Sequence, residues 1–570
     1  MPIKELPPSP DALVAAHWAD IAPYYESLAS EPLALENVEQ WLAGWSRLDE
    51  LVFEAASLAA IAFTCDTADP GKEEANLRFA AEIVPRVYEQ QVRLARRLIE
   101  SGYSRPDLEQ VIKGFRADVE IFREDNVPLI SQLEELGTEY EKITGGLTVD
   151  WDGQSKTIPQ LQPYLKSRER AIRERAFRLG AGAYVARRDE MAGIFDRMYE
   201  LRTRVAHNAG FANYQGYAFA AKHRFDYTPA DCARFHSAVE QTVVPAVGRL
   251  QQYRRERLGV DTLRPWDLVV DIDKDEPLTP FADVDRFVGQ AQRIFQRVDG
   301  ELGGDFNTMV RESMLDLDSR QGKAPGGYCT TLHHRGLPYI FMNAVGVPDD
   351  VNTLIHEAGH CFHAFATRRY PLIWQRSATI EAAELASMSM ELLAAPFFAE
   401  PDGYYANDDV RHAWMEHLED TLVSLAHIAS VDAFQSWIYT SGQGGDRDER
   451  DRAWLAIRSR FERHVDWSGL TAERVARWNR QLHIFLHPFY YIEYGIAQLG
   501  ALQIWRQSLT DYKGAVASYR RALALGGTRP LPEIYAAAGA KLVFDSETMG
   551  ELVALVEARI GELRSVSVEA

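Results

Sequence analysis

Along most of this chain apolar residues recur every three to four positions, the spacing that lines one face of a helix. LRFAAEIVPRVYEQQVRLARRLIE (77–100) is typical of the pattern. Between residues 11 and 145 such runs are punctuated at SEP (30–32), ADPG (68–71), SGYSRP (101–106) and NVP (126–128), each predicting a helix boundary. GGLTVDWDGQSKTIPQL (145–161) departs from the pattern, with short β-branched pieces around Asp152-Gly153 that predict a hairpin. A long, charged, solvated or lobe-bridging helix is expected from about Ser167 to His207. The second departure is GGYCTTLHHRGLPYIFMN (326–343), where YCTTL and PYIFMN read as strands and HHRG as the turn between them. The prediction is a mainly α protein with a small antiparallel β-sheet beside the helix that follows residue 347.

Length refines this picture. A chain of 570 residues exceeds one ordinary core, so two large lobes, or one domain with a helical extension, are expected. An N-terminal helical part is drawn over residues 1–195 and a catalytic part over 196–570, with interleaving of the lobes in sequence allowed. A net charge of −21 argues against nucleic acid or an anionic membrane surface as partner. Cys65, Cys232, Cys329 and Cys361 form no CxxC pair, so neither a disulfide framework nor a cysteine zinc knuckle is indicated. With no secretory pattern at the start and no long apolar run, a soluble, cytoplasmic protein is expected.

The chemistry concentrates in TLIHEAGHCFHAFATRRY (353–370). This predicted helix begins after Asp349 and Asp350, either of which can cap it, and ends before Pro371. Positions i and i+4 lie about 40° apart around a helix axis, so His356 and His360 can both reach one zinc ion. Glu357 lies beside that face, where a carboxylate can take a proton from water. This is the HExxH arrangement of zinc peptidases. His363 stands about 10 Å along the axis from His356, too far to share the ion, and is assigned an outer-shell or structural role. Ala366 occupies the position where the extended metzincin pattern needs its third His, which excludes that class.

A third ligand is needed. The next helix, SATIEAAELASMSMELLAAPFF (377–398), offers Glu381, Glu384 and Glu391. Glu384 and Glu391, seven residues apart, share a face bordering the stripe Leu385, Met388 and Leu392, while Glu381 turns away. Glu384 is therefore the expected ligand. Glu391 can accept the second ring N–H of a ligating histidine.

HEAGHCFH followed by EAAELASMSMEL resembles the oligoendopeptidase F branch of the thimet-oligopeptidase-like zinc peptidases. The likeness extends to NAGFANYQGYAF (208–219), GGYC…PYIFMN, FQSWIY (434–439) and HPFYYIEYGIAQLGA (487–501), and loosely covers most of residues 145–545. It implies a two-lobed helical fold around a deep channel, one zinc ion per chain held by His356, His360 and Glu384, and cleavage of short peptides. It also implies that Tyr491 and Tyr494, with Tyr490 as an alternative to the first, help to stabilise the transition state, and that His483 has a similar role.

Water attack on a peptide carbonyl is the expected reaction, with Glu357 as proton carrier. If PYIFMN is an edge strand, Tyr339, Ile340 and Phe341 can hold an extended peptide by strand addition, and Gly326 and Gly327 can let the neighbouring loop move. Two rivals remain: an exopeptidase on the same scaffold, which needs a cation for the substrate's terminal carboxylate, and an inactive helical binding protein.

Overall fold

The structure, a computed structural model, describes residues 6–274 and 277–565. Helices dominate it, and their boundaries follow the punctuation. Trp18–Ser30 stops at the first break, and Val38–Cys65 gives way at the second to Pro70–Arg78. There the Asp69 carboxylate accepts the free N–H groups of Gly71 and Lys72, a side-chain cap placed before a first-turn proline. Val84–Glu100 ends where Gly102 turns left-handed at φ 71°.

Two compact units emerge, each discontinuous in sequence. The first comprises Met1–Phe122, Leu278–Trp414 and Ala497–Leu542; the second comprises Arg123–Pro277, Met415–Ile496 and Val543–Ala570. The single boundary expected near residue 195 does not coincide with this division, since it falls inside helix Arg188–Asn208 of the second unit.

In the second unit, strands β1 (Thr148–Trp151) and β2 (Gln154–Thr157) form the expected hairpin, with Asp152 and Gly153 both at positive φ (55° and 81°). The long charged helix is instead two helices, Arg170–Ala186 and Arg188–Asn208, broken at Arg187. Nor is it merely solvated: Arg173, 2% exposed, is paired with the buried Asp267 at 2.8 Å. A charge pattern cannot reveal a buried ion pair whose acid lies far away in sequence.

The first unit carries the second sheet, β3 (Leu315–Asp318), β4 (Tyr328–Leu332) and β5 (Leu337–Ala344), in the order β3-β5-β4. The β4–β5 pair is the predicted hairpin, with Gly336 at φ 65° in its turn. The sheet is nevertheless mixed and not antiparallel, because β3 joins β5 in parallel. β5 is consequently the central strand, so PYIFMN has no open edge, and Ile340 and Phe341 are completely buried. The peptide-binding assignment of Tyr339, Ile340 and Phe341 by strand addition is thereby corrected; the edges belong to β3 and β4. β3 escaped prediction, and only its pairing shows that β5 is enclosed.

The N-terminal helices of this unit form a core that braces residues 372–376, the link between the two helices that carry the candidate site. Trp45 packs against Phe115 and Trp374, with ring centroids 5.1 and 4.4 Å apart. Ser46 accepts the Ile373 N–H at 2.8 Å, and Glu50 pairs with Arg376 at 2.8 Å. Helix Val38–Cys65 therefore pins that link at three points.

Candidate metal centre

Two helices of the first unit build the site: the histidine helix, Pro348–Thr367, and the glutamate helix, Ile380–Ala394. Of the two candidate caps it is Asp350 that acts, its Oδ2 accepting the N–H groups of Val345, Gly346 and Val347 at 2.8, 2.8 and 3.0 Å. The helices lie unusually close at Gly359, where an added Cβ would stand 2.5 Å from Ser387 Cα and 2.7 Å from the Ala386 carbonyl oxygen. Only glycine permits that approach. It is a functional position that sequence reasoning passed over, although a glycine between two ligands in mid-helix, where it costs about 1 kcal/mol, was the available signal.

The approach brings His356, His360 and Glu384 together, with one ligand atom from each lying within 4.8 Å of the others. Glu384 Oε2 stands 3.3 Å from His356 Nε2 and 3.8 Å from His360 Nε2. Tetrahedral bonds of ~2.0–2.1 Å place ligand atoms ~3.3 Å apart, so the set fits a zinc-sized ion. The surroundings orient each donor. His356 Nδ1 is 2.6 Å from Glu391 Oε1, which leaves Nε2 directed at Glu384. The Ala383 backbone lies beside the His360 ring. Ser387 Oγ donates to Glu384 Oε2 at 3.1 Å.

The electrostatics agree with the geometry. Burial alone would lower the His356 pKa, but Glu384 and Glu391 outweigh it and hold the ring well above the ordinary histidine value. Such a pocket favours positive charge at its centre. His360 is pushed the other way, to about 4, mainly by burial and against the pull of Glu384. Burial raises Glu357 to about 6, opposed by His356 and by the Cys329 backbone N–H that faces its carboxylate.

Other predicted residues fall elsewhere. His363 lines a small cavity with Leu385, Tyr519 and Leu523, lies outside the ligand set, and is lowered to about 4 by burial. Glu381 is outside the ligand set as expected, yet it is 2% exposed and not solvated. Gly326 adopts φ 97°, while a Cβ on Gly327 would lie 3.3 Å from Thr353 of the histidine helix; both glycines have conformational or packing reasons. His483, Tyr490, Tyr491 and Tyr494 belong to the second unit. They form one aromatic group there, with His483 5.3, 5.0 and 6.1 Å from the three tyrosine rings in turn. Tyr491 donates its hydroxyl to Gln481 at 3.0 Å.

Residues 163–551 match Peptidase family M3, and residues 16–125 match the Peptidase M3 N-terminal domain. The chain belongs to peptidase family M3. It is thus a metallopeptidase, a hydrolase of peptide bonds. Its relatives place it on the oligoendopeptidase F branch. It is 22% identical over 443 residues to an oligoendopeptidase F homolog of Mycoplasma pneumoniae, spanning 70% of this chain and 69% of that protein. Over 294 residues it is 22% identical to oligopeptidase PepF of Bacillus subtilis, spanning 50% of this chain and 42% of the relative. PZ peptidase A, solved with an inhibitor, superimposes with a TM-score of 0.89 at 27% identity, over 96% of this chain and 98% of that one. The fold recurs at 14% identity in oligoendopeptidase-F from Enterococcus faecium, with a TM-score of 0.64 over 97% and 98% of the two chains. Among the described residues no helix is long and apolar enough to cross a membrane.

Proposed function

We propose that this M3 peptidase is a zinc-dependent oligoendopeptidase that cleaves internal bonds of short peptides at the His356–His360–Glu384 centre. The convergence of those three ligand atoms beside Glu357 carries the reading. Two imidazoles and one carboxylate are the donor set of catalytic zinc sites with an open position. When bound, the ion supplies Lewis acidity, polarising the scissile carbonyl and acidifying water.

The chain's own residues do the remaining work. Glu357, raised to about 6 by burial, takes the proton of the attacking water and passes it to the leaving nitrogen. Glu391 holds His356 in the tautomer whose Nε2 points at Glu384. For Tyr491, Tyr494 and His483 the reading rests on the family resemblance, as donors to developing negative charge.

The test pairs a digest with one variant. Zinc-loaded protein given a ladder of peptides of increasing length should make internal cuts in the short ones; stepwise C-terminal trimming would favour an exopeptidase. Glu357→Gln should keep the metal and the melting temperature while losing nearly all turnover. If that variant cleaves within a few-fold of the parent, the role of Glu357 is wrong.

A further inference from the structure

We infer that Cys329 and Cys361 form a peroxide-driven, reversible disulfide that brakes the candidate centre. Of the four cysteines, these two have sulfurs in contact, 3.4 Å apart, although they lie 32 residues apart in sequence. Cys65, in contrast, directs its thiol to Asp316 at 3.0 Å. Cys361 follows the ligand His360 directly on the histidine helix and is fully buried, while Cys329 is half-buried on the edge strand β4. An oxidant therefore meets Cys329 first, with its resolving partner already in place behind it.

The chemistry balances with hydrogen peroxide as oxidant. The Cys329 thiol takes one peroxide oxygen to become a sulfenic acid and releases one water. The Cys361 sulfur then attacks that sulfenic sulfur, forming the S–S bond and expelling the second water, so two thiols lose two hydrogens and peroxide is reduced to two waters. A thiol reductant reverses the step by exchange.

Bonding brings the sulfurs from 3.4 Å to ~2.05 Å, a closure of about 1.3–1.4 Å. The histidine helix is the better anchored of the two elements, packed closely along the glutamate helix at Gly359. β4 is paired on one side only, to β5, so the strand yields. Cys329, whose backbone lies beside Glu357, moves with it. Displacing a group beside a catalytic carboxylate by ~1 Å costs ~10–100-fold in rate.

The experiment treats the full-length, metal-loaded protein with hydrogen peroxide, traps free thiols by alkylation and maps the peptides by mass spectrometry. The expected product is a Cys329–Cys361 cross-link two hydrogens lighter than the pair of thiols, with Cys65 and Cys232 alkylated. Turnover should fall ~10-fold or more and return with tris(2-carboxyethyl)phosphine. In Cys361→Ala, Cys329 should stop at the sulfenic acid and be captured by dimedone. Recovery of both thiols alkylated after oxidation, or of Cys329 as sulfinic acid without a cross-link in the parent, overturns the pairing. A complete cross-link with unchanged turnover overturns the brake. The cross-link is read without any activity, so its outcome stands apart from that of the proposed function.

Discussion

Gly359→Ala puts the architecture of the centre to a direct test. Two effects compete. In a helix interior alanine is favoured over glycine by about 1 kcal/mol, which alone would stabilise the variant. Against this, the new Cβ would stand 2.5 Å from Ser387 Cα, 2.7 Å from the Ala386 oxygen and 2.9 Å from Ser387 N, all backbone atoms that no rotamer change can remove. Restoring ordinary contact at ~3.5 Å requires the two helices to part by about 1 Å. Overpacking of this kind costs ~1–3 kcal/mol, so the clash outweighs the propensity gain. The same displacement carries Glu384 away from nitrogens that now stand 3.3 and 3.8 Å from its Oε2. Ligand bonds tolerate only ~0.2 Å. The expected result is at least the ~10–100-fold loss of zinc affinity typical of disturbing a metal's supporting shell, with a melting temperature lowered by a few degrees. Metal content per chain after dialysis against a graded chelator series, together with a melting curve, measures both. A Gly359→Ala protein that binds zinc and melts as the parent does would refute the claim that this approach sets the Glu384 position.

The three acids of the glutamate helix separate by the same assay: Glu384→Ala should lose most of the zinc, and Glu391→Ala should weaken it ~10–100-fold through its 2.6 Å contact with His356. Glu381→Gln should keep the metal, and zinc loss there with full retention in Glu384→Ala would move the ligand by one turn. Chelation should abolish peptide cleavage and added zinc restore it; undiminished activity in a demonstrably metal-free sample would sink the zinc assignment. Asp49 is raised to about 7 by burial, against hydrogen bonds from Tyr25 and Gln91, so the folded state binds the proton more tightly than the unfolded one. Its contribution is full below ~4 and is lost as pH rises towards 7, worth ~4 kcal/mol. The melting temperature should therefore fall over that window, and Asp49→Asn should flatten the slope; an equal slope in both proteins would remove Asp49 as its source.

What the sequence determined by itself is whatever depends on neighbours along the chain. Helix boundaries at Ser30, Pro70 and Gly102, the Asp152-Gly153 hairpin and the pairing of β4 with β5 all follow from local turn chemistry and capping. His356, Glu357 and His360 belong to the same class, because one turn of helix fixes their relation. Glu384 was legible one step further out, since the helix period leaves few acids on the inward face.

Tertiary structure decided what depends on partners distant in sequence. Only the pairing with β3 shows that β5 is enclosed and that Tyr339, Ile340 and Phe341 offer no edge. Only the buried Asp267 explains why the helix around Arg173 is not solvated. His363 lies on the same helix as His356 and His360, yet it lines a small cavity with Tyr519 and Leu523 outside the ligand set. Where the chain crosses between the units escapes a linear reading because hydrophobic burial is non-directional: apolar faces from distant segments associate wherever they fit. The depth of the Gly359 approach, on which the Glu384 position rests, is likewise set by backbone meeting backbone; the glycine marks the position in the sequence but does not show which helix it meets.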